Sequence, residues 1–293
     1  MDEASEYKWL ALLARGQRIC KAALMTVADE YNNRALVPDH PRIILDWHAD
    51  AKAYREKSRC ETDIAYGARP RNRLDLFHPA QEKAGPLVVF IHGGYWRSFD
   101  KSVFSHMAAG ANAHGLCVAV PSYTLCPEVT VVDIIEELRQ CCLHLAHATG
   151  KRLLVAGHSA GGHLAACMAA TNWSHYGVRP DLIQACFSVS GVFDLRPLIA
   201  TPHNDDLRLT ASTAFQASPL LWPMPNRLPF DSWVGGEESF EFLRQARSLA
   251  AAWEGLGLET RNTVVPGANH FSVPAGLADP HSNMTRRIVE LAG

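Results

Sequence analysis

Ser159 lies at the centre of the pentapeptide Gly-His-Ser-Ala-Gly, between a strand-like run and a helix-like run. The apolar run 153–156 precedes it, and the small-residue segment AGGHLAACMAA follows it. A serine on a strand–turn–helix bend of this kind is typical of a nucleophile that attacks an acyl carbon. Gly157 and Gly161 allow a tight turn, in which the residues two before and two after the serine nearly touch. The pentapeptide alone is equally compatible with a tight turn that carries an incidental serine.

A serine hydroxyl is a weak nucleophile until a base takes its proton, so the chain must also supply a histidine. His270 lies in a Gly-rich loop that directly follows the strand-like run NTVV. His281 lies further on, in the segment that opens the last helix-like pattern. Because His270 follows a strand at the carboxyl end of the expected sheet, the order of elements favours it as the general base. The other interpretation of His270 is a loop histidine with a structural hydrogen bond.

An imidazole base needs a carboxylate that holds its tautomer and offsets the charge it gains. The segment FDSWVGGEESFEF supplies acids after an intermediate strand, where this chemistry requires one. Asp231 lies too early, within the strand, and Glu241 lies in the first turn of the next helix. The acid is therefore Glu237 or Glu238, and spacing alone does not separate them.

A tetrahedral acyl intermediate carries an oxyanion, which preorganised backbone N–H groups stabilise. The residue after the nucleophile, Ala160, is expected to supply one such group. The run LVVFIHGGYW places Gly93 and Gly94 directly after an earlier strand, where their amides can turn towards a ligand. Tyr95 and Trp96 follow, at the expected mouth of the pocket. By itself, His-Gly-Gly is also compatible with a tight turn after a buried strand.

Short apolar runs alternate with helical patterns along most of the chain, which predicts an α/β fold. Most of the runs lack polar/apolar alternation, as strands of a mostly parallel sheet with helices on both faces should. The predicted strands begin near Leu87, Leu116, Leu153, Ile183, Ser232 and Asn262, and the predicted helices near Val131, after Ser159, near Phe240 and near Met284. The alternating run NRLDLFHP, from Asn72, is predicted to be an antiparallel edge strand.

Two segments depart from this alternation within what we expect to be a single domain over residues 1–293. Residues 1–60 form an N-terminal arm that is helical in pattern up to Tyr31 and then irregular through YNNRALVPDHPR. Residues 195–230 contain the proline-rich stretch ASPLLWPMPNRLPF, which excludes an ordinary helix or a central strand. This second segment is interpreted as a cap or lid, and the N-terminal arm is expected to contribute to the same small lid. A packed surface excursion has comparable weight.

Composition excludes several other classes of function. The net charge of −2 argues against nucleic acid or an anionic membrane as partner. The chain has no apolar run of membrane-spanning length and no signal-like N-terminus. Its eight cysteines form no CxxC pair, which favours reduced thiols and a cytoplasmic location. Its fourteen histidines include no HExxH and no Cys/His pair at zinc spacing, so no metal site is expected.

These motifs resemble those of the α/β-hydrolase fold, in the esterase/lipase group with an HGG oxyanion loop, and most nearly its kynurenine formamidase (arylformamidase) branch. The resemblance runs from Tyr31 to the C-terminus, and its motifs are HGGYW, GHSAGGHLA, SGVFDLRPL, VGGEESFEFLRQ, NHFSV and YNNRALVPDHP. Aligning SFEF to the family's helix start assigns the acid to Glu238. The chain departs from the branch in having glutamate rather than the commoner aspartate, and Phe240 where proline is usual. Asp194 is similar to a residue that is structural in the family.

The resemblance implies a serine hydrolase of small aryl amides or esters, acting on N-formylkynurenine or a similar formamide. Ser159, His270 and Glu238 would be the catalytic residues, and Gly93, Gly94 and Ala160 the oxyanion hole. Neither a metal nor an organic cofactor would be needed. Four aromatic residues are candidates for the substrate-binding wall, although each could equally belong to the core: Tyr95, Trp96, Phe193 and Trp222. A carboxylesterase for short-chain or aryl esters is one alternative, and a non-catalytic ligand-binding relative is another. The oligomeric state stays open, with a homodimer as one option.

Overall fold

A computed structural model describes residues 25–293 of the chain. In that part of the chain, one eight-stranded sheet is combined with ten α-helices. The strands are β1 Arg59–Ala65, β2 Arg73–His78, β3 Leu87–Ile91, β4 Val118–Pro121, β5 Leu153–His158, β6 Ile183–Val189, β7 Phe230–Gly235 and β8 Thr260–Val265. The helices are α1 Val27–Glu30, α2 Asn33–Leu36, α3 His40–Lys57, α4 Ala109–Ala113, α5 Val131–Thr149, α6 Ala160–Ala169, α7 Asn204–Leu207, α8 Ala211–Gln216, α9 Phe240–Gly255 and α10 Asn283–Ala292.

The sheet has the strand order β1-β2-β4-β3-β5-β6-β7-β8. The β1–β2 and β2–β4 pairs are antiparallel, and all later pairs are parallel. The prediction of an α/β fold with a mostly parallel sheet is confirmed. The carboxyl ends of β3, β5, β6, β7 and β8 consequently meet at one edge, where loops from distant parts of the sequence come together.

The apolar core lies on both faces of the sheet, which explains why the central strands show no alternation. Val89 and Ile91 of β3 point into one cluster of buried residues, which also holds apolar side chains of α5, α6 and α9. Val88 and Phe90 of the same strand point into a second cluster, formed with α3, α4 and α10. No helix in residues 25–293 combines the length and the apolar character needed to cross a bilayer.

The prediction of an edge strand at NRLDLFHP was wrong in one respect. This segment is the antiparallel strand β2, but it lies between β1 and β4 rather than at the edge. The strand at this edge of the sheet is β1. Its sequence RCETDIA is largely exposed, and its register with β2 shifts between Glu61 and Ile64. Because β1 is polar and irregular, its sequence lacks the period-two pattern by which strands are recognised.

The N-terminal arm contains more helix than its sequence suggested. Most of the helical pattern predicted up to Tyr31 falls in residues 1–24, outside the described residues. The stretch predicted to be irregular contains the single-turn helix α2 and the start of the 18-residue helix α3. Pro41 in the first turn of α3 fits a helix start, where its missing N–H costs nothing. The buried side chains of α3 are only Trp47 and Ala51, so it has no broad apolar stripe to reveal it.

The proline-rich segment 195–230 forms short pieces of helix rather than long elements. It holds α7, α8 and two 3-10 turns, Arg196–Ala200 and Pro219–Leu221. Asp206 of α7 forms an ion pair with Arg97, in the loop after β3. The segment is thereby tied to the carboxyl edge of the sheet, and its function as a cap or lid stays a prediction.

The turn between β5 and α6 depends on glycine for steric reasons. A Cβ atom on Gly157 would lie 2.2 Å from the carbonyl oxygen of Gly161, and one on Gly161 would lie 1.9 Å from the carbonyl oxygen of Ile91. Backbone atoms of two strands and a helix therefore fill the space that any side chain would need. Ser159 itself has φ 57° and ψ −121°, a backbone conformation that is strained for a residue with a side chain.

We expect Gly161→Ala to lower the free energy of unfolding by more than about 3 kcal/mol, or to prevent folding, because its methyl group meets main-chain atoms of β3. Gly255→Ala is the matched control, since a Cβ there meets nothing within 4 Å and the residue ends α9. The control should change stability by less than about 1 kcal/mol, in the stabilising direction. Urea unfolding measures both effects, and equal midpoints for the two variants would contradict the steric explanation.

Candidate active site

Ser159, His270 and Glu238 form a continuous chain of hydrogen bonds at the carboxyl edge of the sheet. The Ser159 Oγ atom lies 3.0 Å from Nε2 of His270, and His270 Nδ1 lies 2.7 Å from Oε2 of Glu238. A carboxylate only accepts hydrogen bonds, so Nδ1 of His270 carries the proton and Nε2 is free to accept from the serine hydroxyl. All three side chains are buried. This arrangement is suited to moving a proton from the serine to the imidazole.

Each of the three residues follows a different parallel strand. Ser159 comes directly after β5, Glu238 lies in the turn after β7, and His270 lies in the loop after β8. The backbone N–H of Glu237 donates to the carbonyl oxygen of Ala268, which joins the acid turn to the histidine loop. Parallel strand order thus brings together side chains that are up to 111 positions apart in sequence.

The structure distinguishes the two candidate acids. Glu238 is 9% exposed and bonds to His270, whereas the side chain of Glu237 is exposed. The second carboxylate oxygen of Glu238, Oε1, accepts from the Gly235 N–H at 2.7 Å and from the hydroxyl of Ser190. These two donors fix which oxygen faces the imidazole. Ser190 was not among the residues predicted from the sequence, because it lies after a different strand, β6.

The loop after β3 lies directly against the serine turn. A Cβ on Gly93 would lie 3.0 Å from the Cβ of Ser159, so only glycine allows this approach. Gly94 has φ +113°, and a side chain there would collide with the carbonyl oxygen of Ser98. Ala160 begins α6 directly after the serine, so its amide lies at the positive end of the helix dipole. Gly93 and Ala160 therefore adjoin Ser159, and Gly94 lines the same pocket.

His92 orients the peptide between Gly93 and Gly94. Its ring stacks on Tyr123 at 4.4 Å, and its Nδ1 lies 2.8 Å from the carbonyl oxygen of Gly93. Complete burial lowers the pKa of His92 to about 4, so the ring is neutral. Nδ1 must then carry the proton, since a carbonyl only accepts. In a trans peptide the N–H points opposite to the C=O, so the Gly94 N–H points away from His92.

His158 holds the loop that carries His270. Its Nε2 donates to the main-chain carbonyl of His270 at 2.9 Å, and the two rings lie 4.8 Å apart. Burial, followed by the proximity of His270, lowers the pKa of His158 well below its ordinary value. A neutral His158 holds the loop without placing a positive charge beside the imidazole of His270.

A pocket with an empty volume of about 660 Å³, partly open to solvent, lies above Ser159 and His270. One wall of the pocket is aromatic and consists of Trp47, Phe99, Phe104 and Phe271. Trp47 lies at the centre of this wall, with its ring centroid 5.3 Å from that of Phe104 and 6.0 Å from that of Phe271.

The structure corrects three of the four residues predicted to form this wall. Of those four, Tyr95 lines the pocket and the other three do not. Trp96 has φ 54°, is fully buried and donates its indole N–H to His163. Phe193 is also fully buried, in the core cluster behind the sheet. Trp222 packs against that same cluster and beneath the guanidinium of Arg139. Each of the three therefore packs in or against the core cluster and does not line the pocket.

Tyr95 joins the pocket to the N-terminal arm. Its hydroxyl donates to the carbonyl oxygen of Tyr31 at 2.6 Å, and its ring stacks on that of His203 at 4.0 Å. Burial raises the pKa of the Tyr95 hydroxyl, which keeps it a neutral donor, and burial lowers the pKa of His203. His203 belongs to the segment 195–230, so that segment contributes to the pocket. Arg34 of α2 also lines the rim.

Comparison with known proteins identifies the family of this chain. The BD-FAE family model matches residues 74–213. A kynurenine formamidase of Salmo salar is 30% identical over 242 residues, which are 79% of this chain and 81% of the relative. The chain belongs to the kynurenine formamidase family of α/β-hydrolases.

Two further proteins are similar to this chain over most of its length. A kynurenine formamidase of Danio rerio is 29% identical over 265 residues, covering 85% of this chain and 89% of the relative. The crystal structure of a putative thioesterase from Silicibacter sp. TM1040 superposes with a TM-score of 0.82 at 35% identity, covering 90% of this chain and 99% of the other. The chain is therefore a hydrolase of the formamidase and esterase kind.

Proposed function

We propose that the protein hydrolyses the formamide bond of N-formylated arylamines, with N-formylkynurenine as the representative substrate. The observation that carries this proposal is the Ser159–His270–Glu238 chain of hydrogen bonds at the foot of an aromatic-walled pocket. The formamidases that the chain resembles over most of its length support the choice of a formamide.

In this mechanism His270 takes the proton of Ser159 as the Oγ atom attacks the formyl carbon. The carbonyl oxygen becomes an oxyanion, which the amides of Gly93, Gly94 and Ala160 stabilise. The C–N bond then breaks, and His270 returns its proton to the departing arylamine. A water molecule attacks the formyl-serine ester by the same route, releasing formate and restoring the hydroxyl. Glu238 holds the imidazole and stabilises its positive form. The sequence of steps requires neither a metal nor an organic cofactor.

Ester hydrolysis is a second candidate, because the solved neighbour described as a putative thioesterase is 35% identical. Turnover of N-formylkynurenine and of p-nitrophenyl acetate by the purified protein separates the two candidates. We expect measurable kcat/KM on both, with the formamide preferred. Rapid ester cleavage beside negligible formamide turnover would reject the formamidase proposal and leave the esterase.

A fluorophosphonate probe tests whether the chain is catalytic at all. Such a probe is attacked by an activated serine, so we expect covalent labelling at Ser159. A relative that only binds a ligand in the same pocket would show no labelling. A cytoplasmic location is also proposed, and the free thiols of the seven cysteines in the described part of the chain support it.

Ser190 is expected to act as a positioning residue for Glu238. Ser190→Ala removes one of the two donors to Oε1, so the carboxylate holds the imidazole less firmly. We expect kcat to fall about tenfold, which corresponds to one lost hydrogen bond to a charged group, with KM nearly unchanged. Steady-state kinetics give the two parameters separately. A rise in KM at constant kcat would show that Ser190 acts on the pocket instead.

A further inference from the structure

A second cluster of chemically active side chains lies at the opposite edge of the sheet from Ser159. His78 ends β2, Cys117 immediately precedes β4, and Glu82 lies in the loop between β2 and β3. One donor atom from each of the three lies within 4.8 Å of the others. The Nδ1 atom of His78 is 3.9 Å from the Sγ atom of Cys117.

The backbone brings these donors together. Phe77 and Val118 are paired in the β2–β4 ladder, which places their neighbours His78 and Cys117 side by side. The N–H of Lys83 donates to the carbonyl oxygen of Gly115, which holds the β2–β3 loop against the turn before β4. Glu82 is therefore held near the other two by main-chain hydrogen bonding.

Glu61 of the edge strand fixes the tautomer of His78. Its Oε1 atom lies 2.7 Å from Nε2 of His78, on the far side of the ring from Cys117. The carboxylate accepts, so Nε2 carries the proton and the lone pair of Nδ1 faces Cys117 and Glu82. A carboxylate that fixes the tautomer of a histidine from behind is a common feature of metal sites.

We propose that His78, Cys117 and Glu82 bind a divalent cation of the zinc class. A thiolate, an imidazole and a carboxylate suit Zn²⁺, which takes four ligands at about 2.0–2.3 Å. Water supplies the fourth ligand, because Glu82 is exposed to solvent. Lys151 also donates to Glu82, so the cation competes with that ion pair. Bound there, the cation joins the end of β2, the start of β4 and the intervening loop, and it stabilises the fold without touching the hydrolytic site.

Cobalt titration followed by absorption spectroscopy tests the proposal on the whole protein. Co²⁺ at a site with a thiolate ligand gives a charge-transfer band in the near ultraviolet. We expect this band in the native protein, its loss in Cys117→Ser and its retention in Cys60→Ser. Cys60 is the matched control, because it lies on neighbouring β1 and its thiol faces the carbonyl oxygen of Arg55. No band in the native protein, or a band that persists in Cys117→Ser, would overturn the proposal.

The Tm of the protein with and without Zn²⁺ provides a second test, and the Glu61→Gln variant provides a third. Excess Zn²⁺ should raise the Tm of the native protein and leave that of Cys117→Ser unchanged, since a ligand that binds only the folded state stabilises it. Glu61→Gln should weaken cobalt binding about 10–100-fold while the band shape is retained. Ester turnover should be the same with and without Zn²⁺. A Tm response that is equal in the native protein and in Cys117→Ser would contradict the assignment.

Discussion

Replacing Ser159 with alanine should lower kcat about 10⁵–10⁶-fold on either a formamide or an ester substrate. The substitution removes the atom that forms the acyl bond and leaves His270 without a proton to take. The turnover that remains comes from binding and from the backbone amides around the oxyanion. Stopped assays with product detection measure the loss, and the fluorophosphonate label should disappear with it.

Ser232→Ala is the matched control for this experiment. Ser232 is a buried serine of β7, and its hydroxyl has no hydrogen-bond partner among the described residues. Its loss should change kcat by less than about threefold, since surrounding contacts are kept. Retention of more than a tenth of native turnover in Ser159→Ala, with the protein folded, would show that another group is the nucleophile.

Glu238→Gln should lower kcat about 10³–10⁴-fold. Ser190 and Gly235 both donate to Oε1, so the amide oxygen of the glutamine will take that position. Its NH₂ group then faces Nδ1 of His270 and forces the proton onto Nε2. In that tautomer the imidazole cannot accept the proton of Ser159. The effect should therefore appear in kcat while the fold stays intact.

Glu237→Gln tests the same loop without touching the imidazole. The Glu237 side chain is exposed, so its substitution should change kcat by less than about threefold. Circular dichroism confirms that both variants are folded. Similar losses of kcat in the two variants would mean that catalysis depends on the conformation of the loop rather than on the Glu238 carboxylate.

The fold and much of the site could be predicted because the sequence patterns that indicate them lie within short stretches of the chain. Steric limits around the turn after β5 require glycine on both sides of Ser159, and those glycines are visible in five letters of sequence. Continuous apolar runs identified the buried strands, because both faces of the sheet are covered. Strand β1 gave no such signal, since it is largely exposed and carries three charged residues in seven.

The aromatic wall could not be predicted, because it depends on side-chain direction and on the packing of a distant helix. Tyr95 and Trp96 are adjacent and both have positive φ, yet one lines the pocket and the other enters the core. Trp47 lies 112 positions before Ser159, on a helix with little apolar patterning. Neither composition nor spacing reports such a contact.

The proposed cation site escaped the motif search for a related reason. Metal motifs are recognised by short spacings within one loop or helix. Here the donors come from three segments, and strand pairing rather than spacing brings His78 and Cys117 together. A search for single motifs cannot find ligands that come together only through strand pairing in the folded sheet.

The position of Trp47 has a consequence for how this enzyme can diversify. The hydrogen-bonded chain and the amide donors all lie after residue 85, while Trp47, at the centre of the aromatic wall, comes from helix α3. Exchanging the first sixty residues between relatives would therefore alter which acyl donors are accepted while leaving bond-breaking speed on a minimal ester intact. Substitutions in α3 can therefore alter substrate selectivity without changing the residues that break the bond.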